Sequence, residues 1–180
     1  MPRITVLTGS PRMSGNTDML ADAFIVGAKG AGAEVTKISL ADKKIHPCID
    51  CQSCFRTKKC VYDDDMTAIY AQLAKTDILV LATPVYFYTF SAQIKAVLDR
   101  LHNPARKSFP IIGAALLAVC ADSDPETFDP IKSTFSAICE YEGWLNVGCV
   151  TVDKVEHKGA IAGNKGLDLA RDLGRIAASA

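Results

Sequence analysis

The chain has 180 residues, 49% hydrophobic and 22% charged, with 20 Lys plus Arg balanced by 20 Asp plus Glu. That length suits one domain with a full core, the composition is too apolar for a disordered chain, and balanced charge without a basic stripe argues against a nucleic-acid partner. No apolar run approaches the roughly 18 residues that cross a bilayer, and Ile4–Leu7 is too short for a signal-peptide core, so a cytoplasmic protein with no membrane attachment is expected.

Strand-like apolar runs fall at Ile4–Thr8, Glu34–Leu40, Asp77–Thr83, Ile111–Ala121 and Leu145–Val152. Helical stretches lie between and after them at Thr17–Lys29, Met66–Lys75, Ser91–His102, Glu126–Glu142 and Lys165–Ala178. The period is clearest where Ile94, Val97, Leu98 and Leu101 share one face, and again for Phe128, Ile131, Phe135, Ile138 and Cys139. Ile78-Leu79-Val80-Leu81 is continuously apolar, as a parallel strand covered on both faces must be. Repeated βα units with right-handed crossovers give an α/β fold: a three-layer, doubly wound, five-stranded parallel sheet, order 2-1-3-4-5, in a single domain spanning 1–180. Ligands then sit beyond the carboxyl ends of strands 1 and 3, where the winding reverses.

The loop after the first strand is Gly9-Ser10-Pro11-Arg12-Met13-Ser14-Gly15-Asn16-Thr17. Unpaired N–H groups at the following helix N-terminus, hydroxyls at Ser10, Ser14 and Thr17, the bend at Gly15 and the charge of Arg12 suit a phosphate monoester. The spacing matches neither the dinucleotide fingerprint nor the Walker pattern, because no Lys follows Gly15. An ordinary capped turn with Asn16 or Thr17 as N-cap is the plainer alternative. Beyond strand 3 stands Pro84-Val85-Tyr86-Phe87-Tyr88-Thr89-Phe90, whose aromatic faces suit a flat ring and whose loop amides suit its polar edge, as in an isoalloxazine. A hydrophobic loop packed beneath a neighbouring element or subunit is the alternative.

Seven cysteines is an odd count, and Cys48-x2-Cys51-x2-Cys54-x5-Cys60 gathers four of them in a Cys-rich connection at about 43–65. Three thiolates at that spacing can wrap one face of a cubane, with the fourth closing the site. Zinc and a metal-free thiol or disulfide loop are the competing readings. Cys120, Cys139 and Cys149 fall in strands or on an apolar helix face and read as small buried hydrophobes. His46, His102 and His157 stand without a partnered nucleophile, no catalytic side chain is assigned, and Asp63-Asp64-Asp65 reads as the opening of the next helix.

Gly9-Ser10-Pro11-Arg12 with Gly15-Asn16-Thr17, Thr83-Pro84-Val85-Tyr86, Ser91-Ala92-Gln93-Ile94-Lys95 and Leu98-Asp99-Arg100 together resemble the NADPH-dependent FMN reductase family of flavodoxin-like flavoproteins. The resemblance implies that Ser10, Arg12, Asn16 and Thr17 hold the phosphate of flavin mononucleotide (FMN) and that Pro84 to Tyr88 line its ring. It places Cys120-Ala121-Asp122-Ser123 at a third flavin loop, without the glycines usual there, and reads Lys95, Asp99 and Arg100 as structural or oligomer contacts. Pro47, the four cysteines and Asp64-Asp65-Met66 resemble the iron-sulfur branch of the family, which carries a 4Fe-4S cluster. The implied protein is an oxidoreductase reduced by NAD(P)H or by a redox protein, assembled as a homodimer or homotetramer. A non-enzymatic electron carrier or a cysteine-based redox sensor is the reading from another class.

Overall fold

A computed structural model describes all of residues 1–180. Along the chain run β1 (Arg3–Thr8), α1 (Asn16–Gly30), β2 (Glu34–Ser39), α2 (Ser53–Thr57), α3 (Met66–Leu73), β3 (Ile78–Pro84), α4 (Ala92–Arg100), β4 (Gly113–Val119), α5 (Asp129–Glu142), β5 (Leu145–Val152) and α6 (Gly166–Ala177). The strands are all parallel, in the order β2-β1-β3-β4-β5 expected of a flavodoxin-like sheet.

Side chains alternate between two cores. Ile4, Val6, Ile78, Val80, Ala115 and Leu117 pack with Leu20 and Phe24 of α1 and with Ala170 and Leu173 of α6. Leu7, Leu79, Leu81, Ala114 and Leu116 pack on the other face with Ile69 of α3, Ile94 of α4 and Phe135 of α5. Both faces are covered, which is why the central strands carry no polar alternation.

Two glycines set the distance between α1 and α6. A Cβ on Gly27 would lie 1.8 Å from the Arg171 carbonyl oxygen, and one on Gly174 would lie 2.1 Å from that of Phe24. These backbones touch, so neither site has a flexible side chain that can yield.

Some boundaries differ from the sequence reading. The helix expected from Glu126 begins at Asp129, after a 3-10 turn over Pro125–Phe128. Pro130 sits in the first turn of α5, where its missing N–H costs no hydrogen bond. The apolar run Ile111–Ala121 is strand only from Gly113 to Val119, and the Cys-rich connection carries the unanticipated single turn α2.

Gly174→Ala tests the α1–α6 contact. The added methyl gains about 1 kcal/mol of helix propensity, but overpacking costs about 1–3 kcal/mol where neighbours can relax and more where backbone is struck. We expect a lower urea midpoint at unchanged m-value. A midpoint equal to or above the parent's would show that the two backbones part freely.

Candidate functional site

At the carboxyl end of β1 the chain turns through residues 9–15 into α1. Gly15 is the N-cap and contributes no side-chain bond, so the helix begins uncapped. The N–H groups of Asn16, Thr17 and Asp18, with those of Ser10 and Met13 before them, have no partner within the protein. Ser14 stands in the left-handed region at φ 54 and gives its N–H to Asp18 Oδ2 at 2.7 Å. Ser10 Oγ accepts from the Arg12 N–H at 3.1 Å and folds the loop over its own start. Gly9 is required by contact, since a Cβ there would meet Ile94 and Ser91 at 2.4 and 2.5 Å. Unsatisfied donors at the positive end of a 15-residue helix form an anion site.

Beyond β3, Tyr86 and Thr89 exchange backbone hydrogen bonds around a tight turn, which puts Phe87 and Tyr88 at φ 47 and φ 64. Two consecutive bulky residues in the left-handed region are strained, and such strain collects at ligand sites. Phe87 is 98% exposed. The turn is tied to the end of β4 by Val85 N–H donating to Val119 O at 2.8 Å. Between them opens a cleft of about 600 Å³ including its mouth, lined by Val85, Phe87, Tyr88, Cys120, Asp122 and Thr127 among others. The N–H groups of Phe87, Tyr88 and Ala121 are unpartnered there. Asp122 is held by Thr127 Oγ1 at 2.7 Å, which depresses its carboxyl pKa. Burial pushes the Cys120 thiol up, so it is neutral.

The structure thus brings Val85, Phe87 and Tyr88 together with Cys120 and Asp122, while Pro84 ends β3 and Tyr86 stands half-exposed outside the cleft lining. Ser10, Arg12, Ser14, Gly15, Asn16 and Thr17 form the adjacent anion loop on β1. Two side chains there behave differently from the expectation. Asn16 donates from Nδ2 to the carbonyls of Val155 and His157 at 2.9 and 2.8 Å, and its Oδ1 accepts from the N–H groups of Gly159 and Ile161 at 2.9 and 3.3 Å. Its amide is saturated, so only its backbone N–H is left for a phosphate. Arg12 Nη1 donates to the Glu156 carbonyl at 3.0 Å, which leaves its other N–H groups free. Residues 155–161 are therefore the support of the anion loop. Their sequence carries no periodic or motif signal, and only the contacts with Asn16 and Arg12 reveal them.

A second pocket, of about 410 Å³ with its mouth, lies in the Cys-rich connection. It is lined by Cys48, Cys51, Cys54 and Cys60 together with Tyr62, Tyr70, Arg100 and His102 among others. All four cysteines of the motif thus reach one space, although no three of the metal-binding side chains close on a common point as ligands of one ion. The connection is pinned to α4 by Arg100, whose side chain is 2% exposed. Its Nη1 lies 2.8 Å from Asp64 Oδ2, and Nη2 lies 3.2 Å from Asp64 Oδ1. Asp64 also accepts from the His46 and Met66 N–H groups at 3.0 and 3.1 Å. Burial pushes this carboxyl up, but the hydrogen bonds from Arg100 and His46 outweigh burial and hold it at about 2.

Asp63-Asp64-Asp65 is thus more than a helix opening, since Asp65 accepts the Lys44 N–H and Asp64 takes Arg100. Lys95 and Asp99 pair with each other on the exposed side of α4, whereas Arg100 turns inward. Cys120 and Cys139 are buried as expected, and Cys149, on the edge strand β5, is exposed. No helix is long and apolar enough to cross a membrane.

Sheet order and switch-point loops define a flavodoxin-like protein. Residues 2–124 match the profile of the NADPH-dependent FMN reductase family, and the chain belongs to that family of NAD(P)H-dependent oxidoreductases. An iron-sulfur flavoprotein of Methanosarcina thermophila is 31% identical over 166 residues, 90% of this chain and 83% of that one. Another, from Methanocaldococcus jannaschii, is 38% identical over 109 residues, 61% of this chain and 56% of its own length. Among solved structures, an NAD(P)H:quinone oxidoreductase from Methanothermobacter marburgensis superposes with a TM-score of 0.76 at 16% identity, covering 97% of this chain and 96% of that one, and so shares the fold.

Two predictions follow from this geometry. Asn16→Ala strands two N–H groups and two carbonyls, so the amides of Gly159 and Ile161 should lose hydrogen-exchange protection while the β-sheet keeps its own. Equal protection in parent and variant would remove Asn16 from the loop's support. For Asp64, a folded-state pKa of about 2 against the ordinary 3.8 corresponds to roughly 2 kcal/mol of stability, present above about pH 4 and lost as pH falls toward 2. Asp64→Asn should therefore be less stable than the parent at pH 6, with the gap shrinking below pH 3. A gap independent of pH would contradict the assignment.

Proposed function

We propose that this chain is an FMN-dependent oxidoreductase, reduced by NAD(P)H, that passes electrons through a 4Fe-4S cluster held by Cys48, Cys51, Cys54 and Cys60. The observation that carries the flavin part is the collection of unpartnered N–H groups at the carboxyl ends of β1, β3 and β4, one set on a helix N-terminus and another around an aromatic-lined cleft. The first set, with Ser10, Thr17 and the free N–H groups of Arg12, would hold the phosphate. The second, at Phe87, Tyr88 and Ala121, would meet the polar edge of the ring, while the aromatic faces keep water from one side of it. Bound there, FMN would supply the hydride and single-electron chemistry that no side chain offers. The protein's part is placement, so no side-chain acid or base is assigned.

The cluster reading is supported by four thiols of one motif lining one space, and by the iron-sulfur flavoproteins among the relatives. The short helix α4 starts directly after the aromatic turn and ends in the cysteine pocket, so roughly 13 Å of rigid backbone joins the two sites. Exposed Phe87 and Tyr88 give the flavin cleft an apolar rim that suits cover by a second copy, in a homodimer or homotetramer.

Titration of flavin-free protein should show FMN binding at least tenfold tighter than riboflavin, and equal affinities would remove the phosphate site. NADPH added without oxygen should bleach the flavin absorbance. Protein reconstituted anaerobically should hold about four irons and four sulfides per chain. Cys48→Ser should lose iron while FMN stays bound, because the flavin loops lie on other elements. A wild-type iron content near zero would reduce the cysteine loop to a thiol or structural element and leave the flavin assignment standing.

A further inference from the structure

Arg100 carries a buried donor that nothing in the protein accepts. Its Nη1 donates to the His46 carbonyl at 2.9 Å and to Asp64, and its Nη2 donates to Asp64. Its Nε–H, sealed from solvent, has no partner. Buried N–H groups are almost always paired, and an orphan on a charged guanidinium calls for a strong acceptor. Arg100 forms part of the wall of the cysteine pocket. Cys48, Cys51, Cys54 and Cys60 line the same pocket, so it is rich in sulfur acceptors. Tyr62, another wall residue, lies face-on to the guanidinium at 5.4 Å and is itself stacked on His46, so Arg100 is clamped on its flat side as well as at its fork.

We propose that Arg100 donates its Nε–H to a sulfur of the cysteine site and thereby raises the reduction potential of the cluster held there. The assignment rests on the cluster reading above and goes beyond it by giving a non-ligand residue a tuning role. Uptake of one electron adds negative charge to the cluster, and a fixed N–H donor at sulfur stabilises the more negative state. Asp64 neutralises most of the guanidinium's charge at long range, so the contribution is chiefly that of the hydrogen bond. The fork held by Asp64 and His46 fixes the guanidinium plane and so aims the remaining donor. Arg100 is accordingly a positioning and tuning residue, and Asp64 acts through it.

The test uses anaerobically reconstituted, full-length protein. Arg100→Lys keeps the charge and can still pair with Asp64, but places Cε where Nε stands. Asp64→Asn/Arg100→Met removes both charges together, so a second variant remains if the first does not fold. Circular dichroism and iron and sulfide content are measured first, then the midpoint potential by mediated titration, then the coupling of deuterium-exchangeable protons to the reduced cluster by pulsed electron paramagnetic resonance. We expect iron-loaded variants whose cluster is at least tenfold harder to reduce, a fall of about 59 mV or more for one electron, with loss of one strongly coupled exchangeable proton. Fully loaded variants with the parent's potential and proton coupling would overturn the role of Arg100 while leaving the cluster in place. A wild-type chain that takes up no iron would overturn the cluster reading and this proposal with it.

Discussion

The two loops of the proposed flavin site depend on one topological constraint, the reversal of winding between β1 and β3. A parallel sheet satisfies its backbone internally along its length, and its helices cover both faces. At the carboxyl ends of the two strands where the crossovers diverge, no helix closes the gap, and loop N–H groups are left over. The first turn of α1 and the Phe87–Tyr88 turn both hold such groups. An anionic, flat, polar-edged ligand can satisfy them together.

The second organising contact is the buried pair of Arg100 and Asp64. A pair this deep adds little net stability compared with an apolar replacement, because desolvation offsets attraction. What it provides is position. It draws the end of the Cys-rich connection onto α4, a helix whose other end abuts the aromatic turn and whose Ile94 meets Gly9 of the anion loop. One nine-residue helix therefore touches all three elements of the proposed electron path. The cost of that position falls on the loop, which spends carboxylates at Asp64 and Asp65 to close its own ends.

The loop after β5 plays a similar supporting role by neutral means. It has no regular structure, yet its carbonyls and N–H groups at Val155, His157, Gly159 and Ile161 converge on the one amide of Asn16. An amide with two donors and a carbonyl oxygen is the side chain able to satisfy both kinds of backbone group at once. This explains why a residue next to an anion loop looks in sequence like a ligand, when its side chain is a brace.

The sequence alone determined the sheet, its order and the two loops at the switch point, because apolar runs of strand length alternating with helical periods admit few other folds, and because glycine, hydroxyl and aromatic residues cluster just where strands 1 and 3 end. It also determined the grouping of four cysteines, since their spacing is local. Tertiary structure alone decided which side of α4 Arg100 would face, that Asp64 would meet it from 36 positions away, and that Asn16 would look toward a loop more than 135 positions later. Those outcomes turn on burial and on which donors remain unpaired once the core has closed, and neither quantity exists until distant segments share one space.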